Sequence, residues 1–205
     1  MNTTPIETDE CIQAELLSYA ACLRFCAALL RYPDQAVYAT LEAALPLFDG
    51  LHAALLSCPN PVLPPLVQLQ LSYTALFVAN PAGLPAVPYV SCRLEPEGRT
   101  YGAATQELRK LMANEGVKVD SVLGEPEDHV GIVFDFAALL AERSLENPEK
   151  LILLKQVIAN YLAPLLPGFA ADVARSEPAG FYADATAFCS ALIENYGVLF
   201  TSLTA

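Results

Sequence analysis

The sequence predicts an all-α fold, a single-domain helical bundle of about eight to ten helices crossed by one long Pro-rich loop, and three observations carry that expectation. Apolar residues recur at i, i+3, i+4 spacing along nearly the whole chain. No run alternates apolar and polar residues between hairpin turns, so strands are not expected. Prolines and glycines cluster where helices would begin or end.

Helix 1 is expected over about residues 8 to 31, with Ile12, Leu16, Leu23, Ala27 and Leu30 as its inner stripe and Pro33 after its end. A shorter helix should run from about 34 and stop at Pro46, with a further turn around His52. Pro61, Pro64 and Pro65 open a helix that LVQLQLSYTALFVAN carries to about Asn80. From Asn80 to Thr100, the prolines at 81, 85, 88 and 96 with Gly83 and Gly98 rule out regular helix and predict a long loop. Leu84, Val87, Tyr89, Val90 and Leu94 give that loop apolar material with which to dock. Helix is expected again over about 102 to 115, closed by Gly116, and from Pro126 onward. Segments near 147 to 163, 165 to 175 and 179 to 202 complete the set, punctuated by Pro164, Pro167 and Pro178. No internal repeat or linker suggests a second domain, so residues 1–205 read as one unit.

Composition narrows the function. The 205 residues hold 23 acids against 11 bases, a net charge of −12, which argues against nucleic acid and anionic membrane surfaces as partners. The start MNTTPIETDECIQAE has four acids and no base, unlike an export signal, so a cytoplasmic location is expected. No stretch approaches the roughly 18 consecutive apolar residues of a membrane span, because charges and prolines interrupt each candidate. The six cysteines read as reduced, apolar filler. Cys11, Cys22 and Cys26 share helical spacing, but there is no CxxC and no nearby histidine, so no metal site is expected. Nothing resembles a P-loop or other cofactor motif, and no cofactor is expected.

The segment GEPEDHVGIVFDFAALLAE, residues 124–142, is the most informative. Pro126 at a first helical position would leave Glu127 and Asp128 in the first turn, where the helix dipole favours acids. His129 falls on the stripe of Ile132, Val133, Phe136 and Leu140, which suits either a core histidine or a site. Asp128, Asp135 and Glu142 repeat every seven residues with Gly131 and Ala138 between them, a row that suits either a groove wall or a solvated face. Between Val119 and Glu142 there are six acids and no Lys or Arg, so little local basic charge neutralises the row.

Glu125-Pro126-Glu127-Asp128-His129 before an apolar helix resembles the E-P-x-D-H signature of the redox-enzyme maturation chaperones, the TorD/DmsD/NarJ family. YTALF at Tyr73–Phe77, VPYVSCRLEPEG and GAATQELRKLMANEGV resemble other parts of that family, and together these cover about residues 60 to 145. Val90 stands where the family often has an acid, Tyr73 where tryptophan is common, and NYLAPLLPGF replaces a His-Leu-x-x-Trp-like start. The resemblance implies a helical chaperone that binds the twin-arginine signal peptide of a molybdenum-cofactor-dependent oxidoreductase. It would hold the apo-enzyme back from export until the cofactor is inserted. It also implies a peptide pocket at Tyr73, Leu76, Phe77, Pro88, Tyr89, Ser91, Asp128 and His129, flanked by the signature's own Glu125 and Pro126. The acidic row adds Asp135.

The residue chemistry suits such a client. Carboxylates would accept guanidinium groups, Asp128 as a bidentate partner, and Tyr73 and Tyr89 would stack on an arginine. Two other readings stand beside this one. Asp128-His129 could belong to a metal-dependent hydrolase, although no nucleophile or metal-spaced ligand set accompanies the pair. The chain could also be a generic helical adaptor in which His129 is core.

Overall fold

The computed structural model describes residues 5–119 and 124–201, with side chains described for 12–119 and 124–195. Cys11 and Asp120, which enter the sequence argument, fall outside the described side chains. The described elements are helical: α1 (Pro5–Leu29), α2 (Gln35–Leu56), α3 (Leu66–Tyr73), α4 (Val90–Leu94), α5 (Ala103–Asn114), α6 (Val130–Arg143), α7 (Glu149–Val157), α8 (Ala163–Ser176) and α9 (Phe181–Thr201). Two π-turns, Thr74–Val78 and Ile158–Leu162, extend α3 and join α7 to α8.

The centre of the bundle is α6. It buries most of its circumference, with Val133, Phe134, Ala137, Leu140 and Ala141 each without exposed surface, while Ile132, Asp135, Leu139 and Glu142 form a half-buried edge. A helix so widely apolar is stable only when largely surrounded, and α1 and α7 pack against it. Small residues let α1 come close: a Cβ at Gly131 would lie 3.2 Å from the Leu30 carbonyl oxygen and 3.4 Å from that of Ala27. The stripe expected for α1 is the one it buries, with Leu16, Leu23, Ala27 and Leu30 in the core and Ile12 partly buried against it. Cys26 and Cys189 are also fully buried. Burial pushes the Cys22 thiol up to about 11 and raises Cys26 as well, which suits inert filler.

The acidic row of α6 is not an open groove wall. Arg24 of α1 reaches it, with Nη1 at 2.7 Å from Asp135 Oδ1 and Nε and Nη2 at 3.2 and 3.0 Å from the two oxygens of Glu142. Arg31 adds a contact of 3.5 Å to Asp135. The neutralising charge comes from a helix more than a hundred residues earlier, where a local charge count cannot see it.

Four boundaries differ from expectation. Helix α2 runs through Pro46, because Pro46 and Glu42, whose carbonyl loses its partner, both lie on the exposed side. The inner stripe of Leu41, Leu45, Phe48 and His52 keeps the helix continuous, with Phe48 stacked on Phe25 and His52 on Phe188. Likewise the chain stays helical through Pro164 and Pro167: Pro164 falls in the first turn of α8, just after the wide turn at Ile158–Leu162, and Pro167 and Ala163, whose carbonyl loses its partner, both lie on the exposed side. A short helix, α4, forms inside the loop expected to be irregular. Finally, α6 starts at Val130 and not at Pro126. The closing turn of α5 agrees with expectation: Gly116 has φ +69°, and Val117 N–H donates to Met112 O at 2.8 Å.

Three helical segments, Ile12–Leu29, Gln35–Leu56 and Glu149–Ser176, are long and apolar enough by length and composition to cross a membrane, contrary to expectation. Within an 18-residue window of the first and of the third, 44% of the residues are buried inside the bundle, so core packing accounts for much of their hydropathy. In the corresponding window of α2 only 17% are buried, and Leu47 on its outer side is 81% exposed.

Arg24→Ala should leave Asp135 and Glu142 side by side without their shared cation. Because the pair is about 40% exposed, the loss should be only about 1 kcal/mol at low salt and smaller at high salt. Urea unfolding at two ionic strengths checks both the size and the trend.

Candidate functional site

The E-P-x-D-H segment folds as a turn followed by one extended residue. His129 N–H donates to Pro126 O at 3.0 Å, closing the turn, and His129 then adopts φ −61° and ψ 130° before α6 begins. That extended residue pairs with Tyr89 as an antiparallel bridge. Val90 N–H donates to Asp128 O at 3.1 Å, and Val130 N–H to Pro88 O at 2.8 Å. Two backbone bonds thereby fasten the proline-rich loop to the start of the central helix.

Asp128 reinforces the same junction. It is fully buried, and its Oδ2 accepts from Ser91 N–H at 2.8 Å and from Ser91 Oγ at 2.6 Å. Those bonds cap the first turn of α4 from a distant part of the chain. Thr105 of α5, also fully buried, donates through Oγ1 to Ser91 Oγ at 3.3 Å. Asp128 is therefore not in the first turn of a helix that begins at Pro126, and in this conformation it has no surface to offer an arginine. Its stabilising work is done across the fold.

His129 is 3% exposed and caps α6, its Nδ1 accepting from Gly131 N–H at 3.2 Å. An accepting Nδ1 puts the ring proton on Nε2. Nε2 then donates toward Tyr73 Oη at 3.4 Å, and Tyr73 in turn donates to Leu30 O at 3.3 Å. Desolvation by burial, helped by the Arg31 charge, lowers the His129 pKa to about 4. The imidazole is neutral at physiological pH.

Around this chain lie the aromatic groups. Tyr73, 2% exposed, meets Phe77, Tyr182 and Tyr32 edge to face at centroid distances of 5.0, 5.7 and 5.5 Å. Leu76 and Phe77 are buried on the π-turn, and Leu76 O accepts from Ala86 N–H at 3.3 Å. Tyr89 sits edge-on to the His129 ring at 5.6 Å and donates to Glu125 Oε2 at 2.6 Å. Burial first, and then the bond to Glu125, raises the Tyr89 phenol above its ordinary range.

The structure thus brings together Tyr73, Leu76, Phe77, Pro88, Tyr89, Ser91, Glu125, Pro126, Asp128 and His129. Asp135 lies apart, on the seam with α1. The three acids of the signature separate by environment. Asp128 is buried, and Glu127 is held below the usual carboxylate range by Arg109, whose Nε and Nη2 lie 2.6 and 2.9 Å from its oxygens. Glu125 is part-exposed and has no cationic partner among the described residues. The sequence argument missed Thr105, Tyr32 and Tyr182. A threonine interrupting the buried Ala104, Leu108, Met112 stripe of α5 was the one available signal.

An all-helical bundle with this junction between loop and central helix defines the class of protein. Residues 32–171 match the profile of the family described as nitrate reductase delta subunit, and the chain belongs to that family. The resemblance drawn from E-P-x-D-H stands. The chain is 35% identical over 115 residues to the chaperone protein TorD of Vibrio cholerae serotype O1, covering 53% of this chain and 52% of TorD. It is 33% identical over 98 residues to the Tat proofreading chaperone DmsD of Salmonella typhi, covering 48% and 45% respectively. The chain therefore spans about half the length of these chaperone relatives. The crystal structure of a redox enzyme maturation protein from Archaeoglobus fulgidus superimposes with a TM-score of 0.57 at 25% identity, over 85% of this chain and 93% of that one. These two relatives are both named as chaperones.

Two outcomes follow from the geometry. A histidine whose folded pKa lies near 4, against about 6.5 unfolded, contributes stability that is complete above pH 6.5 and lost as pH falls toward 4. The loss should reach on the order of 3 kcal/mol in the wild type, and His129→Gln should flatten that part of the profile, as read by denaturant unfolding at each pH. Asp128→Ala strands the buried Ser91 N–H and hydroxyl and should cost roughly 2 to 3 kcal/mol. Hydrogen exchange should then quicken first in Val90–Leu94.

Proposed function

We propose that this chain is a cytoplasmic chaperone that binds the twin-arginine signal peptide of a molybdenum-cofactor-dependent oxidoreductase and assists its maturation before export. The names of its relatives support the chaperone reading, and the observation that carries the site is the isolation of Glu125. Among the acids of the signature, it alone combines partial exposure with the lack of a cationic partner among the described residues. It is held against Tyr89, so a client guanidinium at the carboxylate would meet an aromatic ring at the same point. Arginine suits such a planar, bidentate acceptor better than lysine does.

Within this reading the other site residues divide their work. Asp128, Ser91 and the Tyr89–His129 bridge hold Glu125 and Tyr89 in place. Tyr73, Leu76 and Phe77 form the apolar floor beneath them. Asp128 acts as a positioning residue and not as the arginine acceptor. A hydrolase would need His129 at an open surface, whereas here it is enclosed and neutral.

Calorimetry with a twin-arginine peptide and its Gln-Gln version tests the proposal. The arginine peptide should bind more tightly, and more weakly as salt rises, given the net charge of −12. Glu125→Gln should lose about tenfold in affinity for it with an unchanged melting temperature. Equal affinity for the two peptides would overturn the reading, and an unimpaired Glu125→Gln would move the arginine contact elsewhere.

A further inference from the structure

His52, Cys58 and Asp184 meet at the far end of α2, away from the junction just described. A ring nitrogen of His52, Sγ of Cys58 and a carboxylate oxygen of Asp184 all lie within 4.8 Å of one another. The meeting is built by the fold. Ser57, with φ 58°, caps α2 in the left-handed region that non-glycine residues seldom adopt, and this reversal carries Cys58 back toward His52. Asp184 comes from the first turn of α9, where Phe188 one turn later stacks on the His52 ring at 5.5 Å.

The tautomer of His52 is set by its neighbour. Nδ1 lies 3.0 Å from the Cys58 carbonyl oxygen, which can only accept, so Nδ1 carries the proton. Nε2 is left with a lone pair, and His52 is 2% exposed with no hydrogen-bond partner at that atom among the described residues. A buried acceptor without a donor is unfavourable. A thiol is a weak donor and an ionised carboxylate is none, so neither neighbour satisfies it well. A backbone carbonyl that orients the second nitrogen is also the usual support for a metal-bound imidazole.

We propose that His52, Cys58 and Asp184 form a binding site for a divalent d-block cation, with Zn²⁺ the best fit. Imidazole, thiolate and carboxylate are all zinc ligands, and a thiolate disfavours Mg²⁺ and Ca²⁺. Two anionic ligands balance the ion's charge, the thiol proton passing to solvent on binding. Zinc bonds of about 2.0 to 2.3 Å require the three atoms to draw together, and Cys58 and Asp184, both only partly buried, are the two that would move. Asp184 also lines a surface cavity of about 340 Å³ with Pro64, Leu69 and Phe181, so one edge of the cluster faces solvent. The bound ion would tie the end of α2 and the turn after it to the start of α9. The site is independent of the peptide-binding proposal, and neither depends on the other.

The test uses the full chain, stripped with a chelator and titrated with Zn²⁺ against a chromophoric competitor and with Co²⁺ by absorption. One equivalent should bind, with a thiolate-to-Co²⁺ band in the near ultraviolet, weaker binding as pH falls, and a melting temperature raised by Zn²⁺. Cys58→Ser should abolish the band and the thermal shift. Asp184→Asn should weaken Zn²⁺ binding by about tenfold or more. Both replace part-exposed groups, so their folding is checked by melting without metal. A Cys22→Ser/Cys92→Ser variant should behave as wild type. Failure to bind Zn²⁺ stoichiometrically, unchanged binding in Cys58→Ser, or a band lost in the double variant instead would each overturn the proposal.

Discussion

The pairing of Pro88–Val90 with Asp128–Val130 organises the part of the molecule around the E-P-x-D-H segment. Two backbone hydrogen bonds and the two that Ser91 gives to Asp128 join a loop rich in proline to the first residues of the most buried helix. A loop of that length has little reason to keep one conformation by itself, since its prolines remove donors and its glycines add freedom. The buried acid supplies the missing constraint. Once Ser91 is held, α4 has a capped first turn, and Tyr89 is fixed against His129 and Glu125.

Burial then sorts chemically similar groups into different roles. Glu125, Glu127 and Asp128 lie within four residues, yet one carboxylate is part-exposed, one is paired with Arg109, and one is sealed inside. The two histidines diverge in the same way. His129 accepts at Nδ1 from a backbone N–H and passes its proton toward Tyr73, while His52 donates at Nδ1 to a carbonyl and keeps a lone pair on Nε2. Opposite tautomers follow from one neighbour in each case. Identical side chains therefore carry different chemistry at the two ends of the bundle.

The α1–α6 contact shows why close approach and charge pairing occur together. Gly131 packs against the backbone of Ala27 and Leu30, and the helices lie near enough that Arg24 spans from one to the other and meets Asp135 and Glu142 at once. The ion pairs sit at the rim of this contact, where solvent still screens them. Apolar contact supplies most of the stability there, since part-exposed ion pairs are worth at most about 1 kcal/mol.

Much of this was legible in the chain itself. Helical periodicity defined the fold class and the inner stripe of α1, Gly116 marked the end of α5, and the E-P-x-D-H segment together with YTALF and VPYVSCRLEPEG pointed to the family and to the side chains that cluster. These are local signals, set by spacing and by the φ limits of proline and glycine. Three features were decided only in three dimensions. The helix expected from Pro126 gives way to an extended turn because Asp128 and His129 have backbone partners at residues 88 to 90. The short helix α4 forms because an acid 37 residues later caps it. The acidic row is neutralised by an arginine 111 residues before Asp135. Each depends on a contact between segments remote in the chain, and the energy of such a contact is absent from any window of sequence.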